Sequence, residues 1–215
     1  MARHSLGASL SAFVRSLGEC KRLAADAHEW ASPLPGRKRA MISRQRRDSM
    51  IELAFLRSFL AWESFLEETF ILYLAGHKAP KGRAPSRYAF PPNLVVAMEW
   101  VVPEGQEYAT WTVASRVAQR AERFFRNGEP YAPLLRGNQS ILDESRTLRN
   151  AIAHASASTQ RKFETLVRHK IAALPPRFTV GSFLGTVVPG STPPIAFLDH
   201  YLQKIELAAR LMVRM

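Results

Sequence analysis

Cysteine is almost missing from this chain: Cys20 is the only one among 215 residues. A single thiol cannot build a disulfide framework, and a thiolate metal site would lack partners. That fits a reducing compartment, and a cytoplasmic location is expected. Long apolar runs are missing too. The most apolar stretch, residues 54–74, is broken by Arg57, Glu63, Glu67 and Glu68. Each would be costly in lipid, so no membrane span is expected. The leading residues Met1-Ala2-Arg3-His4-Ser5 run into an amphipathic pattern, without the unbroken apolar block of a secretory signal. Acidic residues are scarce, with 18 Asp and Glu against 30 Lys and Arg, a net charge of +12. Such an excess suits a polyanionic partner, because neutralising phosphates releases counterions. An anionic membrane surface, or a basic surface with no such partner, are the alternatives. Arginine greatly outnumbers lysine, and its fork suits phosphate, although genomic base composition produces the same bias. Internal repeats and low-complexity tracts are absent.

What remains is enough for one ordinary domain, with 47% hydrophobic residues. Helical periodicity dominates. Residues 6–31 predict a first helix through Leu6, Leu10, Phe13, Val14, Leu17, Leu23 and Ala24, stopped by Ser32-Pro33-Leu34-Pro35-Gly36. Residues 38–75 carry the strongest pattern. Ile51, Phe55, Ser58, Phe59, Trp62, Phe65, Leu66, Thr69, Phe70 and Tyr73 form one stripe, and Leu53, Leu56 and Leu60 form a second beside it, continued by Glu63 and Glu67. A helix with two apolar faces packs on two partners, here its own core and a second copy of the chain; an ordinary buried central helix is the alternative. Residues 76–93 form a basic Pro/Gly-rich loop. Its Lys81, Arg83 and Arg87, interleaved with Tyr88 and Phe90, either grip a single strand by charge and stacking or form a plain connector.

Leu94–Val102 is apolar but too short to assign to strand or helix. Trp111–Phe125 predicts a helix with Trp111, Ala114, Val117, Ala118, Ala121, Phe124 and Phe125 inward. Arg116, Arg120 and Arg123 recur at i, i+4, i+7 on an outward strip, either a phosphate track or a solvated face. Asn127-Gly128-Glu129-Pro130 ends it. Ser140, with Asp143 three residues on, opens another helix to about Ala155. Gln160–Ala173 is the next, ended by Pro175-Pro176; Phe178–Val188 reads as one or two short strands; Pro189–Pro194 is a loop. Phe197–Val213 closes the chain as a helix with Leu198, Tyr201, Leu202, Ile205, Ala208, Ala209 and Met212 inward. The expected fold is all-α, a helical bundle with loop insertions and a short β-hairpin near the C-terminus.

The segment Leu148-Arg149-Asn150-Ala151-Ile152-Ala153-His154 carries the chemistry. An arginine five residues before a histidine is weak by itself in a chain so rich in arginine; Arg22 and His28, six apart, show how readily such pairs arise. The surroundings strengthen it. At about 100° per residue, Asp143, Arg146, Asn150 and His154 share one helix face, opposite Ile141, Leu148, Ile152 and Ala155. Arg149 lies about 140° around the helix from His154, a gap that a two-fold dimer would close by bringing two copies of the motif to one cleft. Histidine supplies a general acid or base near neutral pH. Arginine supplies a fixed charge for a developing phosphorane, and asparagine positions a phosphate or a side chain. These are the needs of RNA cleavage by the RNA's own 2′-hydroxyl. The six histidines show no i, i+3 or i, i+4 pair, and no His-Glu-x-x-His, phosphate-binding glycine loop or Ser/His/Asp arrangement is present. No metal or cofactor is expected.

On Arg149-Asn150-Ala151-Ile152-Ala153-His154, and on the earlier Ala61-Trp62-Glu63-Ser64-Phe65-Leu66, the chain resembles the HEPN superfamily, and within it the RiboL-PSP-HEPN-like helical nucleases of prokaryotic defence and toxin systems. The resemblance covers residues 40–170. It implies a helical bundle, a homodimer, and metal-independent endoribonuclease activity with Arg149 and His154 as the catalytic pair, Asn150 as their polar partner and Glu63 as the acidic residue that orients them. It implies an antitoxin or defence-system protein as a further partner. RNA would be held by Arg146, Arg116, Arg120, Arg123, Lys81, Arg83 and Arg87. Some HEPN toxins carry a tyrosine two residues after the histidine; Ser156 stands there in this chain. Some members do not cut, so a non-catalytic RNA- or protein-binding module is the alternative. The whole of 1–215 is expected to form one HEPN-like domain: a core at 40–170, the basic loop at 76–93, a loop and short-strand insertion at 175–196, and the closing helix at 197–213.

Overall fold

A computed structural model describes residues 5–33, 40–154, 156–171 and 178–214. The described residues are all-α, with no sheet. In chain order the helices are α1 (Leu6–Trp30), α2 (Arg44–Leu74), α3 (Leu94–Val101), α4 (Ala114–Phe124), α5 (Tyr131–Gly137), α6 (Gln139–Ala153), α7 (Ala157–Ile171), α8 (Val180–Leu184) and α9 (Phe197–Val213), with a single 3-10 turn at Arg126–Gly128. None of them is long and apolar enough to cross a membrane.

The closing helix matches its expected bounds, and all seven of its inward residues are buried. The main stripe of α2 is buried throughout, including Ser58 and Thr69, whose hydroxyls donate to carbonyls one turn back (Ser58 to Ala54, 2.8 Å; Thr69 to Phe65, 2.7 Å). Back-bonding of this kind removes the cost of burying a hydroxyl. The second stripe is only partly covered: Leu56 is half-buried, while Leu53 and Leu60 are 50% and 46% exposed. α2 begins at Arg44 rather than 38, with the Ser43 hydroxyl accepting from the Arg46 N–H.

The chain divides into two compact units. The first comprises Met1–Arg15, Ala61–Asp143 and Ile205–Met215; the second comprises Ser16–Leu60 and Glu144–Lys204. The first unit is centred on Phe70, whose ring meets Phe125 at 4.9 Å, Tyr131 at 5.0 Å, Trp111 at 5.4 Å and Phe124 at 6.0 Å. The Tyr131 hydroxyl donates to Thr69 Oγ1 at 3.0 Å and the Tyr73 hydroxyl to the Met212 carbonyl at 2.9 Å, so both buried phenols are satisfied. The segment 94–102, ambiguous in sequence, is helix α3, capped by Asn93, which accepts from the Val96 N–H. Helix α5 carries no sequence signal strong enough to be assigned. It is one two-turn element, held by burial of Tyr131, Ala132 and Leu135. The stop before it is as expected: Asn127 and Gly128 take positive φ (57° and 67°), and a β-carbon at Gly128 would collide with Ala132.

The second unit has its own aromatic core: Phe183 on Phe197 at 4.3 Å, with Phe163, Tyr201 and Phe55 continuing it at 6.2–6.3 Å. The short strands expected at Phe178–Val188 are not there. Thr179 caps a helix instead, accepting from the Ser182 N–H at 3.0 Å, and α8 follows. Alternation of apolar residues over so few positions fits one helical turn equally well, and tertiary contacts decide. Asp48 of α2 accepts from Ser182 Oγ (2.6 Å) and Thr179 Oγ1 (3.3 Å), Glu52 accepts from the Gly181 N–H (2.9 Å), and a β-carbon at Gly181 would overlap the Asp48 carbonyl. Of the expected hairpin only a single bridge, Val187 to Ala196, is present. The stops expected at Leu34-Pro35-Gly36 and Pro175-Pro176, and Ala155 of the face opposite His154, lie outside the described residues.

Candidate functional site

Helix α6 presents the motif. Its first turn forms as Leu142 N–H donates to the Asn138 carbonyl and Gln139 Nε2 to Asp143 Oδ2 at 2.7 Å. Leu142, Ser145 and Leu148 are its fully buried residues, while Ile141 and Ile152 are half-buried. The core face is thus turned slightly from the expected one, because α6 packs on the Leu142–Ser145–Leu148 line. Arg146 and Asn150 stay half-buried and His154 is exposed at the C-terminal end.

The turn between α6 and α7 is built around His154. Its N–H donates to the Asn150 carbonyl at 3.0 Å. Its own carbonyl accepts twice, from Thr159 Oγ1 at 2.6 Å and from the Ser156 N–H at 2.9 Å. Ser156 in turn caps α7: its hydroxyl accepts from the Thr159 N–H at 3.2 Å, and the Ser156 N–H lies 3.3 Å from Thr159 Oγ1. This reciprocal Ser/Thr exchange satisfies orphan N–H groups at a helix start. Ser156 is thus a helix cap, a role that its short hydroxyl side chain suits.

Beside this turn, Arg146, Thr147 and Asn150 from α6 and Thr159 and Lys162 from α7 line a small cavity of about 70 Å³. Two cations and an amide among these residues suit a phosphate oxygen. His154 is bonded through its backbone to two lining residues, Asn150 and Thr159, which ties the imidazole-bearing residue to the basic cavity. Arg149 is half-buried. Its Nη1 donates to Asn150 Oδ1 at 3.2 Å, and its buried Nε has no hydrogen-bond partner among the described residues. The structure therefore places Arg146 at the middle of α6, Arg149 and Asn150 in its last turns and His154 just past its end, with Arg149 joined to Asn150 and no bond between its side chain and His154. Thr159 and Lys162 were missed by sequence reasoning. Their only signal was the Ser-x-x-Thr start of α7, since nothing in the sequence says which face of α7 meets α6.

The remaining expected residues belong to the first unit. Glu63 is half-buried, and its Oε1 has no hydrogen-bond partner among the described residues. Lys81 and Arg83 are exposed on a tight turn closed by Gly82 N–H to the Ala79 carbonyl at 2.8 Å. Arg87 is occupied by the fold: Nη1 donates to the Leu74 carbonyl at 2.6 Å, and the guanidinium lies 4.9 Å over the Phe90 ring. Arg116 and Arg123 are exposed on α4, but Arg120 departs from the expected outward strip. It is 8% exposed, stacks 4.6 Å over Trp111 and donates to the Thr110 carbonyl at 3.1 Å. Trp111 sits one turn before α4, and its flat face shelters the middle arginine of the three. Among the described residues, no three His, Cys, Asp or Glu side chains are gathered closely enough to hold a metal ion.

No family model, no curated protein and no solved structure matches the chain.

Proposed function

We propose that the chain is an endoribonuclease, working as a homodimer, that cleaves RNA through the RNA's own 2′-hydroxyl in chemistry that needs no metal ion. The observation that carries this reading is the attachment of His154 to a cavity lined by Arg146 and Lys162. Asn150 and Thr159, which line that cavity beside Arg146 and Lys162, also hold the His154 backbone at the helix end. A phosphate seated there would lie beside the two residues that hold the His154 backbone.

In the reaction, the 2′-oxygen bonds to the adjacent phosphorus and gives up its proton to a base. The bond to the 5′-oxygen breaks, and an acid protonates that oxygen. The products are a 2′,3′-cyclic phosphate and a 5′-hydroxyl. His154 is the acid or base. A two-fold dimer supplies the motif twice, so one imidazole takes the proton and its mate gives one. Arg149 balances the charge that builds on the phosphorane oxygens, and its bond to Asn150 holds the pair in register. The uncovered Leu53 and Leu60 on α2 support a second copy as partner. Glu63 belongs to the other unit, and the proposal does not rest on it. The resemblance to HEPN nucleases extends the reading to a toxin or defence effector restrained by a partner protein.

One observation favours a binding module without cleavage: the Arg149 side chain is bonded to Asn150 and not to His154. The deciding experiment incubates the chain with end-labelled RNA of mixed sequence in the presence of a chelator. His154→Ala is expected to lower the cleavage rate by about 10²- to 10⁴-fold with the melting temperature unchanged, and the parent's products are expected to end in cyclic phosphate. Undiminished cutting by the variant would refute the enzyme reading, and RNA retained with no product from the parent would replace it with the binding module. A parent chain that sediments as a monomer would remove the second imidazole.

A further inference from the structure

The first unit holds a larger cavity, of about 420 Å³, that is unrelated to the Arg149–His154 motif. Its lining includes Trp100 from α3, Glu104 from the following loop, and Arg116, Gln119, Arg120 and Arg123 from α4. The volume falls in the range of about 300–1,000 Å³ typical of small-ligand clefts. Three arginines against one glutamate leave the lining with a charge of +2.

Those arginines are not occupied by ion pairing: among the described residues none of the three has a carboxylate within salt-bridge distance. Glu122, the only acid on α4, is engaged instead by Arg136 of α5 at 2.6 Å. Arg120 is fixed in place by its bond to the Thr110 carbonyl and its stack on Trp111, which is itself buried. Burial, then the nearby Arg123 charge, pull the Arg120 guanidinium below its ordinary value, with Glu67 pulling the other way. A sheltered cation with a second cation beside it is relieved by an anion, and a pre-fixed guanidinium loses little freedom when it binds one. Trp100, 46% exposed at the cavity wall, offers a flat apolar surface within the same space.

We propose that this cavity binds a nucleotide unit, with its phosphate held by Arg116, Arg120 and Arg123 and its base stacked on Trp100. Charge selects the phosphate and the indole selects the planar ring. Glu104 and Gln119 accept from ribose hydroxyls or exocyclic amines, and Glu104 disfavours a bare phosphate ion. The nucleotide comes either free or as one residue of a single strand; both present the same chemistry. The proposal does not depend on cleavage at His154.

The test titrates the full chain at low salt with AMP, UMP, adenosine, inorganic phosphate, and a fluorescent single-stranded decamer bearing 2′-O-methyl groups so that it cannot be cut. The parent is expected to bind the nucleotides or the decamer, and to bind adenosine and inorganic phosphate at least about tenfold more weakly. Arg116→Ala with Arg123→Ala, both exposed and remote from the core, is expected to weaken nucleotide binding by about tenfold or more. Trp100→Ala is expected to weaken it at least about fivefold, with inorganic phosphate unaffected. Circular dichroism and melting temperature verify that each variant is folded. AMP that binds as tightly as the decamer identifies a free nucleotide as the source. A decamer at least about tenfold tighter, displaced by AMP, identifies a strand. Either supports the site, and His154→Ala binding like the parent separates this result from the cleavage reading. No nucleotide or decamer binding by the parent, or equal binding by the folded double variant, overturns it.

Discussion

Helices α4 and α6 carry arginines in similar patterns and use them differently. On α4 the spacing Arg116, Arg120, Arg123 suggests a row of equivalent cations, yet the middle one is buried and laid on Trp111. On α6 Arg146 and Arg149 are both half-buried, and the histidine that ends the helix is open to solvent. The difference lies in what stands next to each helix. A tryptophan one turn before α4 covers a guanidinium well. The Ser/Thr cap of α7 beside α6 bonds the His154 backbone, which leaves the His154 side chain exposed. Periodicity reports which residues share a face; the neighbouring element decides whether that face is wet.

That contrast can be broken at several points. The largest effect is expected on catalysis. Arg149→Ala should lower RNA cleavage by about 10²- to 10³-fold, the scale for losing a preorganised donor to a developing oxyanion, while Arg120→Ala should leave the chemical step intact. Single-turnover cleavage at saturating enzyme separates the two. Next comes stability of the second unit. Gly181→Ala should cost about 2–3 kcal/mol through collision with the Asp48 carbonyl, read by urea denaturation. Smaller again is the arginine contrast itself. Arg120→Ala should cost about 1–2 kcal/mol by losing a charged hydrogen bond and a stacked cation, whereas Lys162→Ala beside α6 should stay within about 0.5 kcal/mol. Equal costs would show that the two basic regions are built alike.

The smallest effect is pH dependence. His28 and His200, both in the second unit, titrate below the ordinary 6.5: burial is the main cause for each, reinforced by Arg47 at His28 and by Lys204 and Lys170 at His200, and opposed by nearby carboxylates. Below about 6.5 the unfolded chain takes up protons that these folded residues resist. Their contribution is therefore present above that pH and is lost as pH falls toward the lower folded values. The melting temperature should drop on acidification from pH 7 to 5 by less in a His28→Gln, His200→Gln double variant than in the parent.

Much of this was legible in the sequence. The long stripe of α2 and the inward residues of α9 follow from a 3.6-residue period kept over many turns, which leaves a strand no competing claim. The face shared by Arg146, Asn150 and His154 follows from the same geometry. Short elements were not legible. Phe178–Val188 holds too few turns for a period to declare itself, and α8 forms because Thr179, Gly181 and Ser182 find Asp48 and Glu52, more than 120 residues earlier in the chain. Helix α5 escaped for the same reason.

By itself the sequence determined that the chain is helical, basic and poor in thiols, and that an arginine, an asparagine and a histidine share the end of one helix. Those properties depend on composition and on a period local to each helix. Only the tertiary structure decided that Thr159 and Lys162 complete a basic cavity around that helix end, that Ser156 caps α7, and that Arg120 turns inward to line a separate cavity with Trp100. Each of these depends on which surface of one element meets another. That is settled by packing and hydrogen-bond satisfaction across long sequence separations, and no local pattern encodes it.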